Sequence, residues 1–149
     1  MANYSAIGSI AVAATKTALI LGATSATRFR VTAFSVSTSG TPTSDQGVEF
    51  QVRRATALGT STAVTPIALD PADPASVMSA GSNCTVEPTY STGAVLDRAF
   101  NPRATVQWAA YDPRSEIVAP ATAANGIGFQ CIGAGGAAGN FLVDAMAIQ

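Results

Sequence analysis

The amino-acid sequence predicts an all-β fold, a sandwich or barrel built from about eight to ten short antiparallel strands. Three observations lead to this prediction. Short segments alternate apolar and polar residues, turn-forming Gly, Pro, Asn and Asp separate these segments, and no stretch has the spacing of an amphipathic helix. The 149 residues are enough to bury a core, so we expect one domain over residues 1–149.

The first 26 residues predict two short edge strands or an extended N-terminal arm. The strand candidates are residues 4–12 and 18–21, with a turn near Thr15 and Lys16. The apolar run in this region lacks a preceding basic cluster, and Lys16 interrupts it, so it does not resemble a signal peptide or a membrane span. We therefore expect a protein that is made in the cytoplasm and kept soluble, without export by its own signal and without a membrane partner.

Residues 27–37 form the next predicted strand. Phe29 and Ala33 lie on one face, but Phe34 then falls on the opposite face, among the arginines. A β-bulge near Ala33 and Phe34 accounts for this change of phase, as does a strand end that is covered on both faces. Residues 37–47 predict a loop, because turn-forming Gly, Pro and Asp occur there.

Residues 48–53 predict a strand with one buried face, because Val48, Phe50 and Val52 alternate with polar residues. A long excursion rich in Ser, Thr and Ala follows over residues 56–80. It contains two Asp-Pro steps, which favour turns over helix. Such an excursion should lie on the surface, where it is suited to contact rather than to catalysis.

The rest of the chain continues the pattern of short strands and turns. Further strands are predicted at residues 84–87, 94–100, 104–110, 116–118, 126–132 and 141–148. The phases of the separate strands place eight residues in or near the core: Phe29, Val31, Phe50, Val52, Val106, Trp108, Ile127 and Phe129.

The composition excludes several classes of function. The chain contains no histidine, so neither a Ser-His-Asp nor a Cys-His nucleophile can be built, and no histidine can ligate a metal. Charged residues make up only 11%, and the net charge is −1, which argues against binding nucleic acid through a basic patch. A weakly charged surface of small and hydroxyl side chains instead favours association with other proteins. We expect no enzyme activity and no cofactor.

The two cysteines, Cys84 and Cys131, lie far apart in the sequence. We interpret them first as two small residues that are buried in the fold. A disulfide bond, within one chain or between chains, is the alternative. A metal site is disfavoured, because two thiolates without histidine fall short of four ligands.

Four charged residues in the central region are candidates for catalysis, metal binding or subunit contacts. Asp70 and Asp73 each precede a proline, which favours a turn-stabilising role over calcium binding or paired acid catalysis. Arg53 and Arg54 are neighbours and should point to opposite faces of their strand, so one of them could reach a neighbouring subunit.

Residues 133–138 match the G-x-G-x-x-A pattern of a dinucleotide-binding loop. That loop works only when a helix and a second parallel strand follow it. Too few residues remain for both, and residues 141–148 predict a strand. We interpret the glycine-rich stretch as a turn.

Several segments resemble a family of small tailed-bacteriophage virion proteins. They are SDQGVEFQVRR at residues 44–54, GTSTAVTP at 59–66, LDPADPA at 69–75, EPTY at 87–90 and PATAANGIG at 120–128. The resemblance covers most of the chain from about residue 27 onward. It implies a jelly-roll fold and the role of a decoration or cement protein on the capsid exterior, usually as a homotrimer.

The resemblance also implies the partners and the location. The partners are the major capsid protein and other copies of this chain, and the location is the outer capsid surface of the virion. Candidate subunit or capsid contacts are the N-terminal residues, the excursion over residues 56–80, and Tyr4, Arg53, Arg54, Asp70 and Asp73.

Two other functions remain open from the sequence. A tail or fibre module that binds host-surface glycans would need exposed aromatic and acidic groups in one groove, whereas Trp108 and the three tyrosines are dispersed. A hydrolytic enzyme would need a catalytic constellation, and the sequence offers none.

Overall fold

The computed structural model describes residues 1–13, 15–40, 45–133 and 139–149. These residues form thirteen β-strands and no helix. In chain order the strands are β1 (Asn3–Ala11), β2 (Lys16–Gly22), β3 (Phe29–Ser39), β4 (Val48–Ala57), β5 (Thr60–Val64), β6 (Ile67–Ala68), β7 (Ser79–Val86), β8 (Thr89–Tyr90), β9 (Leu96–Phe100), β10 (Val106–Ala109), β11 (Ile117–Ala119), β12 (Gly126–Gly133) and β13 (Asn140–Ile148).

The strands form two antiparallel sheets that pack face to face, which confirms the predicted all-β sandwich. The first sheet has six strands in the order β10-β3-β13-β1-β6, with β11 also paired to β3. The second has seven strands in the order β5-β7-β2-β12-β4-β8, with β9 also paired to β4. The jelly-roll arrangement stays a prediction.

The N-terminal residues form two strands rather than an arm, and β1 is an edge strand for most of its length, because β6 pairs only with Tyr4 and Ser5. β1 lies between β13 and β6, and β2 lies inside the second sheet between β7 and β12. Six of the seven residues of β2 are buried, because one face meets the first sheet and the other is also covered. The excursion over residues 56–80 is likewise more regular than predicted, since it contains the end of β4, all of β5 and β6, and the start of β7.

The core between the sheets is apolar and aromatic, and it contains the predicted residues. Six of the eight are buried, while Val106 and Trp108 are half-buried and pack against the others. Phe34 joins the two sheets, since its ring stacks on Trp108 at 5.2 Å and meets the edge of Phe129 at 5.2 Å. Such aromatic pairs stabilise a core beyond the area that they bury.

Two β-bulges set which side chains point outward. In β3 the extra residue is Thr32, one position before the bulge predicted at Ala33 and Phe34. In β2 the extra residue is Ala18, because Phe129 pairs with Leu19 and Gln130 pairs with Thr17. The second bulge turns Thr17 away from the core, onto the same face as Gln130.

The second sheet is rolled at one end. β4 and β5 are four places apart in the strand order, yet only Leu58 and Gly59 connect them. A flat sheet would separate these strands by about 19 Å, whereas a two-residue link spans at most about 11 Å. β7 and β8 are also four places apart and are joined only by Glu87 and Pro88. The sheet must therefore curl until its outer face becomes concave.

A small second cluster fills this concave face. Ile20, Ala55 and Cys84 are buried there, with Leu58 and Tyr90 packed against them. Glycines form the floor of the cluster, because a Cβ on Gly128 would collide with the Tyr90 ring and one on Gly126 would meet Leu58 at 2.7 Å.

Candidate functional site

A constellation of polar side chains lies inside the concave face. It consists of Thr17, Arg53, Glu87, Tyr90 and Gln130, which we name the polar cluster. The Glu87 carboxylate accepts hydrogen bonds from the Thr17 N–H at 3.1 Å and from the Thr17 hydroxyl at 2.6 Å. Gln130 Nε2 donates to the same carboxylate at 3.4 Å, and the Tyr90 and Thr17 hydroxyls are 2.7 Å apart.

Arg53 completes the polar cluster from β4. Its guanidinium lies 4.8 Å from the centre of the Tyr90 ring, within the range of a cation–π contact. It donates to Gln130 Oε1 at 3.3 Å and to the Ser91 carbonyl at 3.4 Å. Its Nε is buried without a hydrogen-bond partner among the described residues. The guanidinium is thus half-buried and bonded within the chain.

The polar cluster holds the rolled sheet together. Glu87 comes from the β7–β8 link, Tyr90 from β8 and Thr17 from β2, so their bonds join strands that are distant in the strand order. Burial raises the pKa of the Tyr90 hydroxyl far above its ordinary value, so it stays protonated near neutral pH. In the part of the chain that the structure describes, no three Cys, Asp or Glu side chains form a group that could hold a metal ion.

Tyr4 was predicted as a contact residue, and the structure places it in the core. It is only 2% exposed, and its hydroxyl donates to the Pro74 carbonyl at 2.9 Å. Tyr4 therefore anchors the proline-containing excursion from within. It has no surface to offer a partner, because its position on β1 faces the second sheet.

The other predicted contacts are divided between internal and surface roles. Arg54 is exposed, and its guanidinium donates to the Val118 carbonyl, which links the second sheet to the first. Asp70 accepts from the Ala72 N–H at 2.9 Å, and its carbonyl accepts from the Asp73 N–H at 3.0 Å. This geometry gives Asp70 a turn-stabilising role, while its exposed side chain stays on the surface.

Both cysteines are free and buried, as the first interpretation predicts. Cys131 lies in the core between the sheets, whereas Cys84 lies in the cluster on the concave face. They sit on opposite faces of the second sheet, and a bond within the chain is therefore not formed. With 2% of Cys84 and none of Cys131 exposed, neither sulfur is presented for a bond between chains without local opening.

A shallow depression of about 420 Å³ lies on the outer face of the first sheet. Ser35, Gln107 and Asp144 give it polar groups. Trp108 also borders it, but the register pairs Trp108 with Phe34, so its ring points toward the core. The depression therefore lacks the exposed aromatic ring on which a glycan would stack.

Exposed apolar side chains gather at one corner of the molecule, which we name the apolar corner. Its six members range from 40% to 89% exposed: Met1, Ile7, Ile67, Leu69, Val77 and Met146. Ser5 pairs with Ile67 on one side and with Met146 on the other, so these side chains share one face.

Hydrogen bonds hold Leu69 and Val77 near this face, Ile7 follows Ser5 by two residues on β1, and Met1 precedes Ala2. The Leu69 N–H donates to the Asn3 carbonyl, and the Val77 N–H donates to the Gln149 side chain, which lies next to Ala2. Six of the nine large apolar residues that are exposed in the described ranges thus belong to neighbouring backbone segments. No pattern in the sequence marks this corner, because its members come from four separate segments.

The glycine-rich stretch over residues 134–138 and the loop residues 41–44 lie outside the described residues. The strand that was predicted after the glycines is β13, which confirms that part of the interpretation. Across the described ranges, no helix is long and apolar enough to cross a membrane. Searches against protein-family models, curated proteins and solved structures find no match for this chain.

Proposed function

We propose that this protein binds the outer surface of an assembled bacteriophage capsid and stabilises the shell without doing chemistry. Its partners are then the major capsid protein and other copies of itself, as a homotrimer of jelly-roll subunits on the virion. The resemblance of residues 44–128 to phage virion proteins supports this role. The lack of histidine and the internal bonding of the polar cluster favour binding over catalysis.

The apolar corner is the observation that carries the proposal. Contiguous exposed apolar surface is uncommon on monomeric proteins and marks sites of interaction. Its charged neighbours are few: Asp70 follows Leu69, and Asp144 lies opposite Ile7. A partner can therefore cover the corner while it desolvates few charges. Stable contacts bury roughly 1,000 Å² or more in total, and repetition over a symmetric shell multiplies a smaller one by avidity.

The test uses purified protein and capsids assembled without it. We expect the wild-type protein to fill repeated lattice positions, measured by cryo-electron microscopy, and to raise the temperature at which capsids rupture. Ile67→Ser and Val77→Ser should weaken occupancy, because each removes apolar surface from the corner. Val95→Ser is the matched control, since Val95 is exposed at 38% but lies outside the corner.

Two outcomes would contradict the proposal, and a third would contradict the choice of the apolar corner as its contact surface. Wild-type protein that leaves capsids bare and adsorbs to bacterial cells would favour the glycan-binding module. Wild-type protein that binds neither would remove both functions. If Val95→Ser weakened binding as much as Val77→Ser, the apolar corner would not be the contact surface.

A further inference from the structure

Three of the four sheet edges in the described part of the chain carry features that block further strand pairing. β6 has only two residues and follows Pro66, and beyond it β1 forms the edge, where the Ser9 N–H and carbonyl both bond the Ser82 hydroxyl. β8 follows Pro88, and its neighbour β9 exposes Asp97 and Arg98. β10 and β11 are four and three residues long, and a turn with Pro113 separates them. Short length, proline and charge all discourage the addition of another strand.

The fourth edge, β5, has neither proline nor charge, and its pairing with β7 is regular from Thr62 to Val64 after a register shift between Thr60 and Thr62. Its five residues, Thr60–Val64, contain no charge or proline, and no charged residue occurs between Arg54 and Asp70. Thr62 and Ala63 are exposed. One side of β5 pairs with β7, and no described residue pairs with the other side. β5 therefore presents backbone N–H and C=O groups to a further strand.

A depression of about 300 Å³ lies beside β5 on the concave face. Ser61 and Ala63 line it from β5, and Ile20 and Gly81 line it from β2 and β7. Gly81 has no side chain, which lets Ser61 lie across β7. In strand addition, backbone hydrogen bonds supply affinity and such recesses receive alternate side chains of the added strand.

We infer that β5 accepts an extended, uncharged segment of the capsid protein as an added strand of the seven-stranded sheet. This inference rests on the proposed function and names a second contact within it. β5 ends at Val64 and β6 begins at Ile67, so the free edge adjoins the apolar corner. One partner can therefore cover both surfaces at once.

A second copy of this chain fits the edge less well. A five-residue strand offers far less than the roughly 1,000 Å² of buried surface that a stable complex of free proteins requires. On a capsid the apolar corner supplies the additional area, and the added strand strengthens a contact that already exists. The segment should lack charge, because β5 has no ionic group to pair with one.

The experiment places a lysine on the free edge, the change that natural edge strands use against pairing. Ala63→Lys should weaken capsid occupancy at least about tenfold, because docking would bury an unpaired charge. Ala99→Lys is the matched control, since Ala99 is an exposed alanine on the already charged edge strand β9. Thr62→Lys, on the opposite face of β5, is a second variant whose capsid occupancy tests the edge if Ala63→Lys fails to fold.

The outcomes separate this inference from the proposed function. Loss of occupancy for both β5 variants, with Ala99→Lys like the wild type, supports it. Undiminished occupancy of folded β5 variants overturns the inference and leaves the proposed function standing. A β5 variant that loses only self-association in light scattering overturns it in favour of a second copy. Wild-type protein that does not bind capsids overturns both.

Discussion

At the residue scale, Cys84 shows how burial changes the chemistry of one side chain. The thiol lies among Ile20, Ala55 and Tyr90 on the concave face. Burial, helped by the nearby Glu87 carboxylate, raises the pKa of Cys84 from its ordinary value of 9.0 to about 11. The thiol thus stays protonated near neutral pH, and because the thiolate is the reactive form, it is a poor nucleophile there.

The raised pKa of Cys84 predicts a pH dependence of stability. The unfolded chain releases the thiol proton near pH 9, whereas the folded chain keeps it until about pH 11. Above pH 9 the unfolded state binds fewer protons than the folded state, so the free energy of unfolding falls as the pH rises. The full contribution is present below pH 9 and is lost between pH 9 and about 11.

Urea denaturation of the wild type and of Cys84→Ala at pH 7.5 and pH 10.5 measures this effect. Burial also raises the pKa values of Cys131 and Tyr90, so both proteins should lose stability. We expect the wild type to lose more. An equal loss in the two proteins would assign the effect to the other groups.

The contacts of individual residues in the polar cluster were the part of the structure that the sequence predicted least. Thr17 and Gln130 carry no motif, and Thr17 turns to the concave face only because Ala18 is an extra residue in β2. Arg53 was recognised as notable, but its partners Tyr90 and Gln130 lie far along the chain. Contacts of this kind depend on how the sheet rolls, which no local pattern encodes.

At the element scale, strands with a clear alternation were predicted and strands without one were missed. β3, β4 and β12 each place one apolar face in the core, and their period-two patterns were visible. β5, β6 and β8 are short and mostly exposed, so hydrophobicity does not mark them. Their pairing comes from tertiary context, which overrides intrinsic preference in short strands.

The glycines of β12 provide a prediction about how the sheet closes. Gly128→Ala should lower the free energy of unfolding by about 1–3 kcal/mol, because its Cβ would collide with the Tyr90 ring. Gly133→Ala is the control in the same strand, since its Cβ would meet only Glu49 at 3.5 Å among the described residues. That control should be neutral or slightly stabilising, because alanine restricts the unfolded chain.

Chemical denaturation followed by the change in tryptophan fluorescence measures both variants. A Gly128→Ala protein as stable as the wild type would mean that Tyr90 moves without cost. The bond between Tyr90 and Thr17 would then contribute little to the closure of the rolled sheet.

At the scale of the whole molecule, the two sheets have different surroundings. The outer face of the first sheet is exposed to solvent and carries few charges. On this face the Arg30 guanidinium pairs with the Glu116 carboxylate at 3.1 Å. The second sheet uses its outer face to enclose a second cluster. Among the described residues, the exposed surfaces include the apolar corner, the outer face of the first sheet and the β5 edge.

The proposed homotrimer predicts a mass that can be measured directly. Three copies of the 15.0 kDa chain give a particle of about 45 kDa in light scattering. We expect Val77→Ser to shift this mass toward the monomer if the apolar corner also joins subunits. A monomer in solution, together with isolated rather than grouped densities on capsids, would contradict the trimer.

The pairing of early strands with late ones has a consequence for how the chain acquires its fold. β1 pairs with β13 from Asn3 and Ile148 onward, and β2 pairs with β12. Contacts between such distant residues give a high contact order, which slows folding because long loops must close first. During synthesis the early strands leave the ribosome long before their partners exist. For that interval their apolar faces are open to chaperones and to neighbouring nascent chains.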